Sequence, residues 1–423
     1  MILFATHISE RLRYMVQTLL GEACMITDAV AVYQQHSGFH INYSDQLFDV
    51  DDCRIVPHGL LHEPGIRTQT IKIANWQALP VFFQTNGDLP FDIFAAAFYL
   101  LSRYEEYLPF APDALGRFPH NTSIASQNGF LQRPLINEWL LQWKQAFPAL
   151  TLKHSRFQFQ PTYDVDIAYA YKGKPFSIQI LNLFKSLISA DWARSTAQWQ
   201  VWNGNASDPF DQTEWLKQMH QEKWQPKYFV LASRQRSKLD KQVNRIALAA
   251  YLSQLDSKQV GLHPSAKAYH RKSILTDEYQ FLSAALNNTI QHSRQHYLML
   301  SFPETYRRLI DLGIKADYSM GYSTANGFRA SYAMPFFWYD LANEQITSLQ
   351  VFPFACMDTT CIFQLQLSAV ETAKEYCHYL KAIHAVDGYY AIVTHPHYLC
   401  KTPLFEGYRQ AYAKLLMEAA KIS

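Results

Sequence analysis

Beyond about Ser155 the chain alternates short apolar runs with amphipathic helical stretches, and this alternation limits the folds open to it more than any other feature. The strand-like runs are Phe157–Tyr163, Lys227–Leu231, Gln259–Leu262, Tyr297–Ser301, Leu349–Phe354 and Tyr389–Thr394. Helical patterns lie between several of them, among them Lys241–Leu255, Thr276–Ser293 and Glu304–Leu312. Such an order predicts a parallel sheet or barrel whose strands are joined by crossover helices. In barrels of this type the chemistry sits at the C-terminal ends of the strands. The polar residues that close the apolar runs are therefore the ones to read for function.

Before Thr151 the pattern is different, with short strands mixed among two helices. Phe91–Tyr107 is predicted as a helix opening after Pro90, with Arg103 and Glu106 toward its polar end. Pro109, Pro112 and Pro119 then break the chain into loop. Leu135–Phe147 places Leu135, Trp139, Leu140 and Trp143 at helical spacing. A chain of 423 residues exceeds what one core ordinarily holds. Two domains are expected: an α+β domain over 1–155 and a larger α/β domain over 156–423.

Hydrophobic residues make up 48% of the chain and aromatics 15%, which supplies large cores and excludes a disordered polymer. The 38 basic and 36 acidic side chains nearly cancel, leaving a net charge of +2. That balance exerts no general pull toward nucleic acid or an anionic membrane. Six scattered cysteines without a Cys-x-x-Cys pair are expected as buried or free thiols. Met1–Glu10 lacks the basic and apolar segments of a signal peptide. Phe91–Leu101 is too short to cross a bilayer, which takes roughly 20 apolar residues. The expectation is a cytoplasmic chain with no membrane span and no nucleic-acid partner.

The run Phe157–Tyr163 leads into Asp164-Val165-Asp166. Residues two apart on a strand project to one side, so the two carboxylates share a pocket if the strand continues through them. One could then bind a cation while the other takes a proton. Alone, an Asp-x-Asp is more often a turn or helix cap, but compatible groups recur at later run ends. His263 closes Gln259–Leu262 and is followed by Pro264, a position suited to a metal ligand. Arg294-Gln295-His296 offers a second imidazole, and His270 a third in a polar, cationic stretch. Arg329 could pin a carboxylate bidentately. Asp358 follows the run ending near Phe354, and His395 follows Ile392-Val393-Thr394, with His397 two residues on. A carboxylate that orients an imidazole and raises its pKa makes it a general acid.

In this order the motifs resemble those of the polysaccharide deacetylase (NodB-homology) superfamily, and more narrowly a bacterial branch with a distinct N-terminal domain. Thr162-Tyr163-Asp164-Val165-Asp166 resembles the family's Thr-Phe-Asp-Asp motif and His263-Pro264-Ser265 the start of its His-x-x-x-His motif. Phe328-Arg329, Asp358 and Val393-Thr394-His395 resemble the arginine, aspartate and late histidine motifs. The resemblance covers roughly residues 156–423. The narrower branch also accounts for Leu89-Pro90-Phe91-Asp92, Arg103-Tyr104-Glu105-Glu106-Tyr107 and Gly116-Arg117-Phe118-Pro119, with no role attached. Two departures stand out. Val165 separates the two aspartates, and Lys267 occupies the place of the second histidine.

The resemblance implies an irregular (β/α) barrel of about seven strands, preceded by the smaller α+β domain. It implies a metal-dependent hydrolase that removes an N-acetyl group from an amino sugar or polysaccharide precursor. Asp166 and His263 would hold a divalent ion, zinc being the expected species; because Lys267 displaces the second histidine, either His296 or His270 supplies the missing imidazole or the site is incomplete, and His296 is preferred because it abuts a predicted strand. Asp164 would be the base, its carboxylate held by Arg329, and His395, oriented by Asp358, the acid. The contrasting expectation, resting on Lys267, is a deacetylase-like glycan binder or pathway scaffold without chemistry.

Overall fold

The computed structural model describes residues 1–153, 156–173 and 192–423. The expected boundary at 155/156 falls on residues 154–155, outside the described residues. The chain opens with a parallel four-stranded sheet in the order β2-β1-β3-β4. Its strands are β1 (Ile2–Ala5), β2 (Met25–Thr27), β3 (His40–Tyr43) and β4 (Cys53–Arg54). A short antiparallel hairpin of β5 (Ala74–Trp76) and β6 (Leu79–Val81) follows.

The helix Ile93–Leu101 is buried along its whole length. Its entry is fixed by Asp92, whose carboxylate accepts from the Ala95 amide at 3.0 Å, capping the first turn. The same carboxylate accepts from the Tyr43 hydroxyl at 2.7 Å and the His58 amide at 2.9 Å, tying the helix to β3. The helix stops at Leu101, short of the expected Tyr107. Arg103 takes a left-handed φ of 55°, and Tyr104–Tyr107 continue as a single 3-10 turn. A bulky residue holds that conformation only where its surroundings insist on it, and the ion pairs described below supply that insistence. The second expected helix forms as Leu135–Ala146.

Among the described residues, nine strands build the second sheet, which curls as a half-barrel where about seven strands were expected. They are β7 (Gln158–Val165), β8 (Lys227–Leu231), β9 (Val260–His263), β10 (His292–Ser293), β11 (Ala316–Asp317), β12 (Phe336–Asp340), β13 (Gln345–Val351), β14 (Phe354–Met357) and β15 (Tyr389–Thr394). The order is β12-β13-β11-β10-β9-β8-β7-β15-β14. All neighbours pair in parallel except β12, which returns antiparallel to β13. The mixed α/β class is thus as expected. β15 is buried at every position, as a parallel strand with both faces covered should be. Gly261 in β9 is needed for fit: a Cβ there would lie 2.7 Å from the Phe229 ring and 3.0 Å from the His292 carbonyl oxygen.

One expected strand is not a strand. Tyr297–Ser301 is irregular, with left-handed φ values of 55° at Tyr297 and 53° at Leu298. Leu298, Met299 and Leu300 are nevertheless buried, so their apolar signal came from burial of a loop. The true strand is β10, two residues long, and His296 follows it instead of preceding a strand.

The two sheets share one continuous apolar core that runs from Leu3 to Ala419. Tyr14, tilted, and Phe98, edge-on, pack against Tyr339 with ring centroids 5.0 and 5.2 Å away, and the Tyr14 hydroxyl donates to the Phe337 carbonyl at 2.8 Å. No helix among the described residues is long and apolar enough to cross a membrane.

Candidate functional site

The parallel order of β10, β9, β8, β7, β15 and β14 brings their C-terminal ends to one rim of the sheet. Asp164 lies in β7 and Asp166 just past its end; His263 is the last residue of β9; His296 lies three residues beyond β10. Asp358 and His395 each follow their strand directly, β14 and β15. Six of the seven expected site residues therefore gather at one rim. Asp164, Asp166, His263, His296 and His395 line a single cleft of about 340 Å³.

Asp166, His263 and His296 each direct one ligand atom into a cluster whose members lie within 4.8 Å of one another. His263 Nε2 is 3.3 Å from Asp166 Oδ1, and His296 Nε2 is 3.6 Å from the same oxygen. The tautomers follow from the far side of each ring. His263 Nδ1 lies 2.6 Å from the Arg294 carbonyl oxygen, which can only accept, so Nδ1 donates and Nε2 carries a lone pair. His296 Nδ1 lies 3.0 Å from Asp240 Oδ1, and the same reasoning leaves its Nε2 as an acceptor when the ring is neutral. Burial raises the Asp240 pKa, but hydrogen bonds from His296, Ala266 and Ser237 outweigh it and hold this carboxyl below the usual range. Two imidazole lone pairs and a carboxylate oxygen thus face one another. Asp166 Oδ1 and His263 Nε2 are buried without a hydrogen-bond partner. Buried acceptors left unpaired are costly, and a cation among them removes that cost. Two nitrogens and one oxygen, with outer partners fixing both rings, fit a zinc-like ion, which these three residues would hold.

Without a cation, protons share the cluster. Burial lowers the His296 pKa, yet the Asp166 and Asp240 carboxylates dominate and lift it to about 9. Burial likewise raises the Asp166 pKa, while His296, His263 and His395 hold it well below the ordinary carboxylate range.

His395 is braced by Asp358 twice: the ring Nδ1 lies 2.7 Å from Oδ1, and the backbone amide donates to Oδ2 at 2.6 Å. Its Nε2 faces the cleft, 3.8 Å from Asp166 Oδ2. Burial lowers the His395 pKa, but Asp358 foremost, with Asp166 and Asp164, raises it to about 10. A cation bound at Asp166 would offset part of that rise. His397 is buried two residues on; burial and then His395 push it down to about 3. His270 lies on the short helix Ala266–His270, beside Tyr269 and outside the cluster.

One expected pairing is replaced. Arg329 does not hold Asp164. Asp164 Oδ1 accepts from Arg294 Nη1 at 2.7 Å, while Arg294 Nη2 donates to Thr162 Oγ1 at 2.8 Å and Nε to the Tyr318 carbonyl at 2.9 Å. Thr162 and Asp164 are two apart on β7, so one buried guanidinium reaches both. Arg294 follows β10 directly, which brings it across the sheet end. Arg329 instead donates from Nε and Nη2 to the two oxygens of Glu106, and from Nη1 to the Gly321 carbonyl at 3.1 Å. Glu106 also accepts from Arg103 Nε at 2.7 Å, and Arg103 Nη2 donates to Glu105 at 2.8 Å and to the Tyr322 hydroxyl at 3.1 Å. The Arg103–Tyr107 motif is thereby placed: it is the anionic seat of Arg329.

Lys267 also faces elsewhere. Its ammonium donates to the Gln235 side chain and the Arg236 carbonyl at 3.3 and 3.2 Å. Sequence reading missed Arg294, Asp240 and Glu106 as partners of the expected site residues. Arg294 carried a usable signal, two residues before His296. Asp240 and Glu106 carried none, since they reach their partners across 56 and 223 residues of chain.

A family of unknown function (DUF7033) matches residues 1–151. No curated protein matches the chain. Among solved structures, a protein from Mycobacterium smegmatis with the provisional name polysaccharide deacetylase is 12% identical at a TM-score of 0.40, over 64% of this chain and 86% of that one. The allantoinase Puue is 10% identical at a TM-score of 0.37, over 63% and 85%. The 4-alpha-glucanotransferase of Thermococcus litoralis is 14% identical at a TM-score of 0.34, over 63% of this chain and 38% of that one. Likeness of this size says nothing about the reaction, which rests on the site.

Proposed function

We propose that the chain is a metal-dependent amide hydrolase that removes an N-acetyl group from an amino sugar or polysaccharide precursor. The observation that carries the reading is the convergence of His263 Nε2, His296 Nε2 and Asp166 Oδ1, with two of the three atoms buried and unpaired. A divalent cation held there would polarise an acyl carbonyl and acidify water. Asp164 turns Oδ2 toward the cluster, 3.9 Å from His263 Nε2, while Arg294 holds Oδ1. This geometry supports Asp164 as the group that would accept the proton of an attacking water. Arg294 takes the positioning role that sequence reading gave to Arg329.

The departing amine must be protonated, because an amine anion is a very poor leaving group. His395 is the proton source, its ring steadied by Asp358 and its Nε2 directed into the cleft. Tyr297, Tyr398 and Phe363 line the same cleft and present ring surfaces suited to a pyranose. The N,N,O ligand set favours zinc over harder ions, which prefer oxygen. The expectation of a binder without chemistry rested on Lys267, and that side chain lies away from the cluster that His296 completes.

The test is hydrolysis of a panel of N-acetylated amino sugars and oligosaccharides by protein stripped of metal and then reloaded with zinc. The reading requires acetate release that is lost on stripping and restored by zinc. Stoichiometric zinc binding with no acetate release from any N-acetylated substrate would leave a metal-loaded binder in its place.

A further inference from the structure

The Gly116–Pro119 motif has no part in the chemistry above, yet Leu115 and Arg117 line the same cleft as the ligand cluster. We propose that Arg117 is a positioning residue through which the N-terminal region holds the third metal ligand, His296, in place. The inference rests on the proposed metal site.

The loop carrying Arg117 is self-braced. Asp113 Oδ1 accepts from the Leu115 and Arg117 amides, both at 2.9 Å, and the Asp113 amide donates to the Arg117 carbonyl at 3.0 Å. Gly116 sits in the turn at φ 80°, a conformation that a side chain would strain. Phe118 anchors the far end, its ring buried edge-on against Phe110 at 4.9 Å. From this frame Asp113 Oδ2 accepts from Arg117 Nε at 2.8 Å and fixes the guanidinium plane.

The free edge of that plane holds two residues of the cleft lining. Arg117 Nη1 donates to the Tyr297 carbonyl at 2.6 Å and to the Ser323 hydroxyl. The Tyr297 grip matters because Tyr297 follows His296 directly and, with Leu298, holds a left-handed backbone at φ 55° and 53°. Two consecutive bulky residues in that region relax toward extended conformations unless something outside the loop restrains them. Relaxation would swing the His296 ring off the position shared with Asp166 and His263. His296 Nδ1 on Asp240 steadies the ring; Arg117 steadies the backbone that carries it. Arg103 and His120 also bind Tyr322 and Thr324, on either side of Ser323. The N-terminal region is therefore bonded to three consecutive residues, Tyr322, Ser323 and Thr324, two of which line the cleft.

The test is zinc affinity, measured by competition with a chromophoric chelator, for the full chain, Arg117→Ala, Arg117→Lys and the remote control Arg133→Ala. Arg133 pairs with Glu138 on a partly exposed face of the same region. Outer partners of metal ligands typically contribute 10–100-fold in affinity. Arg117→Ala should lose about tenfold or more, Arg117→Lys should fall between it and wild type because one donor can still reach Tyr297, and Arg133→Ala should match wild type. Melting of the metal-free proteins should differ little between Arg117→Ala and Arg133→Ala. Should Arg117→Ala not fold, Arg117→Lys decides, and wild-type affinity there overturns the proposal. Tight zinc binding by wild type with equal binding by Arg117→Ala overturns this inference alone. No zinc binding by wild type removes the metal-site reading as well.

Discussion

Two buried charge clusters, one lining the cleft and one gathered around Arg329, are built on opposite rules. In the Arg103–Glu105–Glu106–Arg329 cluster, each carboxylate meets a guanidinium and the remaining arginine N–H groups find the Tyr322 hydroxyl and the Arg329 and Gly321 carbonyls. In the Asp166–His263–His296 cluster, acceptors face acceptors and two atoms have no partner. A satisfied ionic cluster is part of the fold. One whose lone pairs converge without a donor is held for something else to bind. The distinction separates Arg329 from Arg294, two buried arginines that sequence order alone cannot rank: Arg329 serves the fold, and Arg294 serves the carboxylate at the chemistry.

The comparison breaks most visibly at Asp164. Asp164→Asn should cut turnover by ~10²–10⁴, the usual worth of a general base, while zinc stoichiometry stays at the wild-type value. Full activity in this variant would return Asp164 to a purely structural role. In the other cluster, Glu106→Gln leaves Arg103 and Arg329 buried with no carboxylate between them. Removing one partner from such a cluster costs about 3–5 kcal/mol, read as a drop in unfolding free energy. The zinc affinity of the folded variant should move less than in Arg117→Ala; a stable Glu106→Gln with lost zinc affinity would invert the assignment of the two clusters.

His296→Ala removes a ligand and should lower zinc affinity by more than the 10–100-fold that outer partners contribute. His270→Ala, on the short helix outside the cluster, should change nothing. If His270→Ala is the variant that loses zinc, the cluster is wrongly drawn. The smallest effect sharpens the contrast best. Asp166→Asn removes the carboxylate that helps raise the metal-free His296 pKa but supplies an N–H to the lone pair of His263; the two changes oppose each other, so the metal-free variant should differ little in stability from wild type. A clear loss of metal-free stability would show that Asp166 is a fold residue after all.

Much of this arrangement is legible in the sequence because the sheet is parallel. Asp164, Asp166, His263, Asp358 and His395 each close an apolar run, and parallel strands bring run ends to one rim. What fails to read are the contacts made by short or irregular segments. β10 has two residues and pairs Ser293 with Leu262, too little to leave a periodic trace, so the apolar Tyr297–Ser301 took its place. The Asp92 cap and the Arg103 break shorten the predicted Phe91–Tyr107 helix, since the ion pairs of Arg103 override its helix propensity. The Arg329 assignment followed motif order, whereas the pairing of Arg294 with Asp164 depends on how strands far apart in sequence are arranged.

The central claim is that Asp166, His263 and His296 hold one cation. An anomalous difference map recorded at the zinc edge from crystals grown with zinc tests it most directly. The account predicts a single strong peak about 2.0–2.2 Å from a carboxylate oxygen of Asp166 and from Nε2 of both histidines. A map with no peak between these three atoms, or with zinc held through His270 or His397, would contradict it.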